Sequence, residues 1–160
     1  MADRIDVLDE NILKILSVNA RVPLKEVAEA CDVSRAAIHQ RMMRLFEDGA
    51  VVSRGFQVNP RKLGYNTCTF VGLTLERGSM YKRVMSALEE IPEIVECHYT
   101  TGPYTLLIKL YARDNEHLME LLNGQVQQIE GVVSTETLIS LEQSFTRQVP
   151  LDGTGRKRGA

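Results

Sequence analysis

The 160-residue sequence has no apolar run close to the roughly 20 residues that span a lipid bilayer. Its first ten residues, MADRIDVLDE, are acidic where a secretory signal is basic and then apolar. It has only three cysteines, Cys31, Cys68 and Cys97, widely spaced and each within an apolar helix or strand pattern. We therefore expect a cytoplasmic protein whose thiols are buried and free.

Arrangements that carry catalysis or hold a metal ion are scarce. Cys97 and His98 form the one Cys/His neighbour pair, and adjacent residues of a strand point to opposite faces. No nucleophile–base pair, phosphate-binding glycine loop or pair of catalytic carboxylates stands out. The sequence predicts a protein that is not an enzyme and has neither a metal site nor a cofactor.

The formal charge is small in total but unevenly distributed. The whole chain carries −2. Residues 33–62 contain six basic and two acidic residues, whereas residues 65–155 contain six basic and twelve acidic ones. A basic segment beside an acidic one is the electrostatic pattern expected of a DNA-binding module joined to another domain.

Residues 24–49, LKEVAEACDVSRAAIHQRMMRLFEDG, predict two short amphipathic helices joined by a tight turn. Their apolar residues recur at helical spacing: Leu24, Val27, Ala28 and Cys31 in the first helix, Ile38, Met42, Leu45 and Phe46 in the second. In the turn, Asp32 tolerates left-handed backbone and the Ser34 hydroxyl can cap the second helix. A preceding helix from about Val7 to Asn19, capped by Asp6, would close a three-helix core. Such a helix pair is typical of a helix-turn-helix, although corners of this kind also occur in other all-α domains.

After residue 49 the pattern becomes one of strands and helices in alternation. AVVSRGFQV predicts a β segment, and NPRKLGYN predicts a connector. The elements that follow are strands at 67–75, 95–101, 104–112 and 132–141, and helices at 79–90 and 115–129. Their order, βαββαβ, is the ferredoxin-like arrangement, in which two helices cover one face of an antiparallel sheet. The uncovered face predicts self-association about a two-fold axis.

These patterns predict an α+β protein with four parts. An N-terminal three-helix, winged-helix-like helix-turn-helix domain occupies 1–58, a linker 59–66, and a βαββαβ domain 67–145. Residues 146–160 have no periodicity and predict a disordered tail. The tail contains Arg156, Lys157 and Arg158, for which solvation is favoured over DNA contact.

In this order and spacing, several motifs resemble the Lrp/AsnC family of bacterial and archaeal transcription regulators, also called feast/famine regulators. They are LDENILKILSVNARVPLKEVAE, SRAAIHQRMMRLFEDGAV, NPRKLGY, the TG at 101–102 and GVVSTETLISL. The resemblance covers nearly everything from Ile5 to about Phe145. It implies a homodimer built on the C-terminal sheets, often assembled into tetramers or octamers. It also implies a small effector, usually an amino acid, bound between dimers.

The helix that begins at Ser34 is the candidate to enter the DNA major groove. The residues expected near base edges are Arg35, Ala36, His39 and Gln40, with Met43 further along. Phosphate clamps are expected at Arg41, Arg44 and Arg54. The alternatives are a phosphate contact for Arg35, solvation for His39 and an intramolecular ion pair for Arg41. A dimer would read double-stranded DNA as an imperfect palindrome with half-sites about one turn apart.

The resemblance places an effector pocket at the loop between the two central strands and at the last strand. The corresponding residues are Thr101, Gly102, Tyr104 and Thr105, with Thr135 and Thr137 opposite. Glycine would expose backbone amides to a carboxylate, and hydroxyl groups would complete its hydrogen bonds. Many family members have an aspartate where this chain has Thr105, so the acid that would suit an α-amino group is missing. Alternatively, the threonines are only good strand formers.

Three functions compete. A sequence-specific transcription regulator is the main hypothesis. An architectural DNA-binding protein of low specificity would have a strongly basic charge, which this chain lacks. Sirohaem decarboxylases resemble this family, but such an enzyme would need a positive pocket with acid histidines, and the acidic C-terminal module contains only His98 and His117.

Overall fold

The computed structural model describes residues 5–53 and 55–151 of the chain. It divides into two units, the first running through Phe56 and also taking in residues 147–151, and the second comprising Gln57–Thr146. The basic residues predicted at Arg54 and in the tail, Arg156, Lys157 and Arg158, lie outside the described residues. Within the described ranges, no helix is long and apolar enough to cross a membrane.

The first unit is the predicted three-helix core. Its helices are α1 (Val7–Val18), α2 (Leu24–Ala30) and α3 (Arg35–Glu47). Ile12, Val27 and Ile38, one from each helix, are fully buried against one another, because each helix turns its apolar stripe inward. The predicted pattern of buried faces is confirmed.

The turn between α2 and α3 also follows the prediction. Asp32 has a φ of 53°, a left-handed conformation that its short polar side chain tolerates. The Ser34 hydroxyl accepts a hydrogen bond from the Ala37 amide at 3.1 Å and so caps α3. This geometry fixes where α3 starts and leaves its first turn at the surface.

The β segment predicted at 50–58 is wrong for the residues that the structure describes there, since none of them is in a strand. Val52 is 94% exposed, and Phe56 is 81% exposed beneath the Arg21 guanidinium. A strand forms only when a neighbouring strand takes up its backbone hydrogen bonds, and this segment has none within the described part of the chain. The β-branched residues that suggested a strand favour strands because their side chains pack well against a neighbouring strand, and they do not form a strand without one.

The second unit has the predicted βαββαβ order. Its elements are β1 (Thr67–Leu75), α4 (Tyr81–Glu89), β2 (Ile94–Tyr99), β3 (Leu106–Ala112), α5 (Asn115–Met119) and β4 (Val132–Ser140). The sheet order is β2-β3-β1-β4, and every neighbouring pair is antiparallel. The single helix predicted at 115–129 is α5 followed by a π-helical turn, Glu120–Gln125, and a 3-10 turn, Val126–Gln128.

The helices cover one face of this sheet. Alternate residues of the central strands, such as Val71 and Ile108, are fully buried beneath Val84 and Leu88 of α4. The intervening residues point to the other face, which we call the open face; they include Phe70, Leu107, Lys109 and Leu138. The register in which β3 and β4 pair with β1 therefore determines which side chains can contact one another on each face of the sheet.

The cysteines are free, but the prediction that all three are buried is wrong. Cys31 and Cys68 are half-buried, and Cys97 is exposed. Cys97 lies on β2, at the edge of the sheet, where packing comes from one side only. Although Cys97 is exposed, the partial burial of its thiol raises the pKa of that thiol above its ordinary value.

Candidate functional site

The exposed side of α3 carries the residues predicted to approach DNA bases. They are all at the surface: Arg35, Ala36, His39, Gln40 and Met43. Their spacing of one, three and four residues places them on one side of the helix, away from the buried Ile38 and Leu45. Ser34, also predicted there, uses its hydroxyl for the helix cap. The result is a polar, sterically open helix face that starts at a capped N-terminus.

The flank of α3 that faces α1 holds two arginines in ion pairs, which we call the aspartate–arginine cluster: Asp6, Asp9, Arg41 and Arg44. The guanidinium of Arg41 bonds to Asp6 and, at 3.2 Å, to Asp9. Arg44 Nη2 lies 2.5 Å from Asp9 Oδ2. The side chain of Asp9 is fully buried, whereas those of Arg41 and Arg44 keep 29% and 33% of their surface exposed.

This cluster favours the intramolecular role considered for Arg41, and it extends that role to Arg44, for which sequence analysis considered only phosphate contact. The two aspartates also cap α1 reciprocally: the Asp6 amide donates to Asp9 at 3.0 Å and the Asp9 amide to Asp6 at 2.9 Å. One pair of carboxylates thus starts α1 and ties it to α3.

The cluster changes the electrostatics of the first unit. Residues 5–53 contain six basic and eight acidic residues, so this stretch carries −2. Because Arg41 and Arg44 are matched by acids from α1, Arg35 is the arginine on the exposed face of α3. The basic excess counted over 33–62 therefore overstates the charge that this helix presents.

Acid should weaken the link between α1 and α3. The hydrogen bond from Arg41 lowers the pKa of Asp6 to about 2, from an ordinary value of 3.8. A carboxyl with a depressed folded-state pKa stabilises the fold above its unfolded pKa, and this contribution is lost as pH falls towards about 2. We expect wild-type protein to be more stable than Asp6→Asn at neutral pH, with the difference shrinking between about pH 4 and pH 2. Urea unfolding at several pH values measures it; a difference that stays constant over this range would contradict the prediction.

The loop between β2 and β3 is closed by its own hydrogen bonds. The Thr100 amide donates to the Thr105 carbonyl at 3.1 Å, and the Thr100 hydroxyl donates to the Tyr104 carbonyl at 2.8 Å. Gly102 has a φ of +103°, a conformation that favours glycine, and both Thr101 and Gly102 are exposed. The loop therefore presents backbone at the surface in a fixed shape.

Tyr104 leaves this loop and lies over β1. A Cβ on Gly72 would be 2.5 Å from its ring, so the ring packs on bare backbone. Its hydroxyl donates to Glu136 Oε2 at 2.6 Å, and this bond raises the pKa of Tyr104. Glu136 was not predicted as a site residue. The register that pairs it with Gly72 brings it here, and local sequence spacing does not encode that register.

The two threonines predicted opposite this loop point the other way. Thr135 pairs with Leu73 and Thr137 with Val71, whose side chains are buried beneath the helices. Thr135 accepts a hydrogen bond from Gln127 at 2.8 Å on that side. Within one chain, Tyr104 and Glu136 share the open face, whereas Thr135 and Thr137 belong to the helix-covered face. Thr105 continues the sheet, since its amide donates to the Leu73 carbonyl at 2.8 Å.

Gly72 should be required for this arrangement. Gly72→Ala forces the Tyr104 ring off β1 and separates it from Glu136, at an expected cost of about 1–2 kcal/mol in unfolding free energy. Gly124→Ala is the matched control, because a Cβ there meets no atom within 4 Å. Urea unfolding of both variants measures the difference. Equal stability of the two would show that the ring does not depend on Gly72.

Comparison with known proteins agrees with this architecture. A model described as the Lrp/AsnC ligand binding domain matches residues 68–150, and one described as the AsnC-type helix-turn-helix domain matches residues 5–45. This chain belongs to the Lrp/AsnC family of transcription regulators. The regulatory protein AsnC of Haemophilus influenzae is 36% identical over 145 residues, covering 91% of this chain and 97% of that protein.

Solved structures show the same fold. Escherichia coli AsnC superposes with a TM-score of 0.85 at 35% identity, covering 91% of this chain and 97% of that one. A transcriptional regulator of Neisseria meningitidis in complex with L-Met gives a TM-score of 0.83 at 19% identity, covering 92% and 97%. This Lrp/AsnC-family chain therefore has the family's helix-turn-helix and its α+β domain.

Proposed function

We propose that this regulator reads a specific DNA sequence with the exposed side of α3. One observation carries the proposal. The exposed residues Arg35, Ala36, His39, Gln40 and Met43 share one side of a capped helix, whereas Arg41 and Arg44 form ion pairs with Asp6 and Asp9 at the start of α1. Arg35 can bond guanine and Gln40 can bond adenine bidentately in the major groove. We expect the protein in the cytoplasm, where bacterial and archaeal DNA lies.

Self-association through the open face of the sheet is the second part of the proposal. Leu138 of β4 is 54% exposed there, beside Phe70 of β1. Apolar surface of this kind is stabilised when a second copy covers it, most simply about a two-fold axis. A dimer, and further tetramers or octamers, would present pairs of α3 helices to a palindromic operator.

An effector, of which an amino acid is the favoured class, is the third part. The exposed backbone at Gly102 suits a carboxylate, and Glu136 brings an acid to Tyr104 although position 105 has none. Thr135 and Thr137 point away from Tyr104 within one chain, so a site containing all of them requires a second copy. The L-Met complex of the Neisseria relative supports an amino acid.

Selection of genomic DNA fragments by purified protein at stated, near-physiological salt tests the function. We expect a shared palindromic motif among the bound fragments. Binding without any shared motif would favour the architectural alternative, against which the −2 charge of residues 5–53 already argues. If the protein retains no DNA at all, the result would favour the enzymatic alternative. His117 gives that alternative little support, because it is buried and its Nδ1 accepts the Arg113 amide.

A further inference from the structure

The open face has a cavity at one end, beside the segment that follows β4. The cavity measures about 280 Å³, and its walls include Cys68 and Phe70 of β1 and the exposed residues 142–145. A leucine-to-alanine substitution in a protein core can leave a cavity of about 150 Å³, so this one has room for a leucine side chain. The Lys109 ammonium at its wall already donates to Glu96 at 2.9 Å, so an apolar occupant would not deprive that ammonium of its partner. The cavity therefore suits an apolar side chain.

Leu138 lies beside this cavity on the same face of the sheet. It pairs in register with Phe70, a wall residue of the cavity, and it is 54% exposed. An apolar side chain next to a cavity makes a self-complementary surface, because a two-fold axis between them brings each one onto the other in a second copy. A second copy of this chain is therefore the occupant that this surface fits.

The size of the sheet also favours interlocking side chains over flat contact. Four strands about 4.8 Å apart, each about seven residues long at about 3.3 Å per residue, make a flat face of roughly 450 Å². Stable interfaces bury about 800 Å² on each partner. Two such faces in flat contact fall short of this value, whereas side chains that insert into the opposite copy add buried area to both.

We propose that Leu138 of each copy inserts into the cavity of the other copy and so locks the dimer. The inference rests on the proposed self-association through the open face, and it names the side chain and the cavity that determine how the two copies fit. In this arrangement, Leu138 of one copy contacts the Phe70 ring and the Cys68 thiol in the cavity wall of the other. Burial of the leucine removes its apolar surface from water in both copies at once.

Disulfide formation between Leu138→Cys and the native Cys68 tests this arrangement in the full chain. Both positions lie on the open face, but they are diagonal in the register, so their Cβ atoms within one chain are about 7 Å apart. A disulfide needs Cβ atoms about 4 Å apart, so this bond can form only between copies. Under mild oxidation with diamide, and with Cys97→Ser in every variant, we expect a covalent dimer. Peptide mapping should show that its disulfide joins position 138 to Cys68.

Two matched variants control for other crosslinks. Leu138→Cys/Cys68→Ser should give no covalent dimer, because the thiol in the cavity wall is gone. Ile139→Cys should form no disulfide with Cys68, since Ile139 is 50% exposed but points to the helix-covered face. A disulfide between position 138 and Cys68 that forms no more readily than one from position 139 overturns the inference.

Sedimentation of the reduced protein gives a second readout. Leu138→Ala should raise the dimer dissociation constant roughly 10- to 100-fold, because two half-exposed leucines lose their burial. Ile139→Ala should change this constant by less than about fivefold. A wild-type dimer that both alanine variants weaken equally, or that leaves Cys68 out of the disulfide, overturns the inference and assigns the cavity to another occupant, such as a small ligand. Wild-type protein that sediments as a monomer contradicts the proposed self-association instead.

Discussion

Replacing Arg35 with alanine is expected to lower the affinity for the preferred DNA about 5- to 150-fold, the loss of roughly 1–3 kcal/mol that a bidentate contact to guanine contributes. Arg35 is the first residue of α3, exposed and on the side that holds His39 and Gln40. A helix that enters the major groove N-terminus first brings this position nearest to the bases. Titration of labelled duplexes measures the effect.

The discrimination between sequences separates base contact from phosphate contact. If Arg35 reads a base, the variant loses much more affinity for the preferred duplex than for a scrambled one. Arg83→Ala is the matched control, since it removes the same charge from α4, where Arg83 pairs with Glu130 at 2.5 Å. An equal loss on all duplexes in Arg35→Ala would assign this residue to the phosphate backbone.

Replacing Asp9 with alanine should cause the largest loss of stability, about 3 kcal/mol in unfolding free energy. Asp9 is fully buried and receives Arg41 and Arg44 together with the Asp6 amide. Its removal leaves two arginines without their shared partner and strips a cap from α1. The figure is at the lower end of the range for broken buried pairs, because both arginines keep about a third of their surface in water.

Asp6→Asn provides the comparison for Asp9→Ala within the same cluster. It preserves the cap and removes only the exposed partner, so its expected cost is below about 1 kcal/mol. Urea unfolding of both variants, followed by circular dichroism, measures the two costs. If Asp9→Ala is no less stable than Asp6→Asn, the buried carboxylate does not tie α1 to α3.

Local patterns predicted most of the architecture because the forces behind them act over a few residues. The buried stripe of α3, its Ser34 cap and the left-handed Asp32 all follow from spacing and backbone chemistry. The order of strands and helices in the second unit follows from the alternation, along the sequence, between the apolar spacing typical of strands and the apolar spacing typical of helices. The strand predicted at 50–58 shows where such local patterns fail, because residues that favour strands form one only when a neighbouring strand is present.

Contacts between distant residues could not be predicted in this way. Arg41 and Asp6 are 35 positions apart and meet only because α1 crosses α3 at one particular place. Glu136 meets Tyr104 through the register of β4 on β1, and the same register turns Thr135 to the opposite face. A shift of one residue would exchange these faces, and the largely exposed β4 has too little alternation to specify the register from sequence.

The measurement that tests the central claim most directly is dimethyl sulfate footprinting of the wild-type protein on its selected DNA. This reagent methylates guanine N7 in the major groove and adenine N3 in the minor groove. If α3 reads the major groove, guanines should be protected in two half-sites about one helical turn, or roughly 10 base pairs, apart. Arg35→Ala should lose protection at one guanine in each half-site. Protection confined to adenines, or spread evenly without half-sites, would contradict recognition through α3.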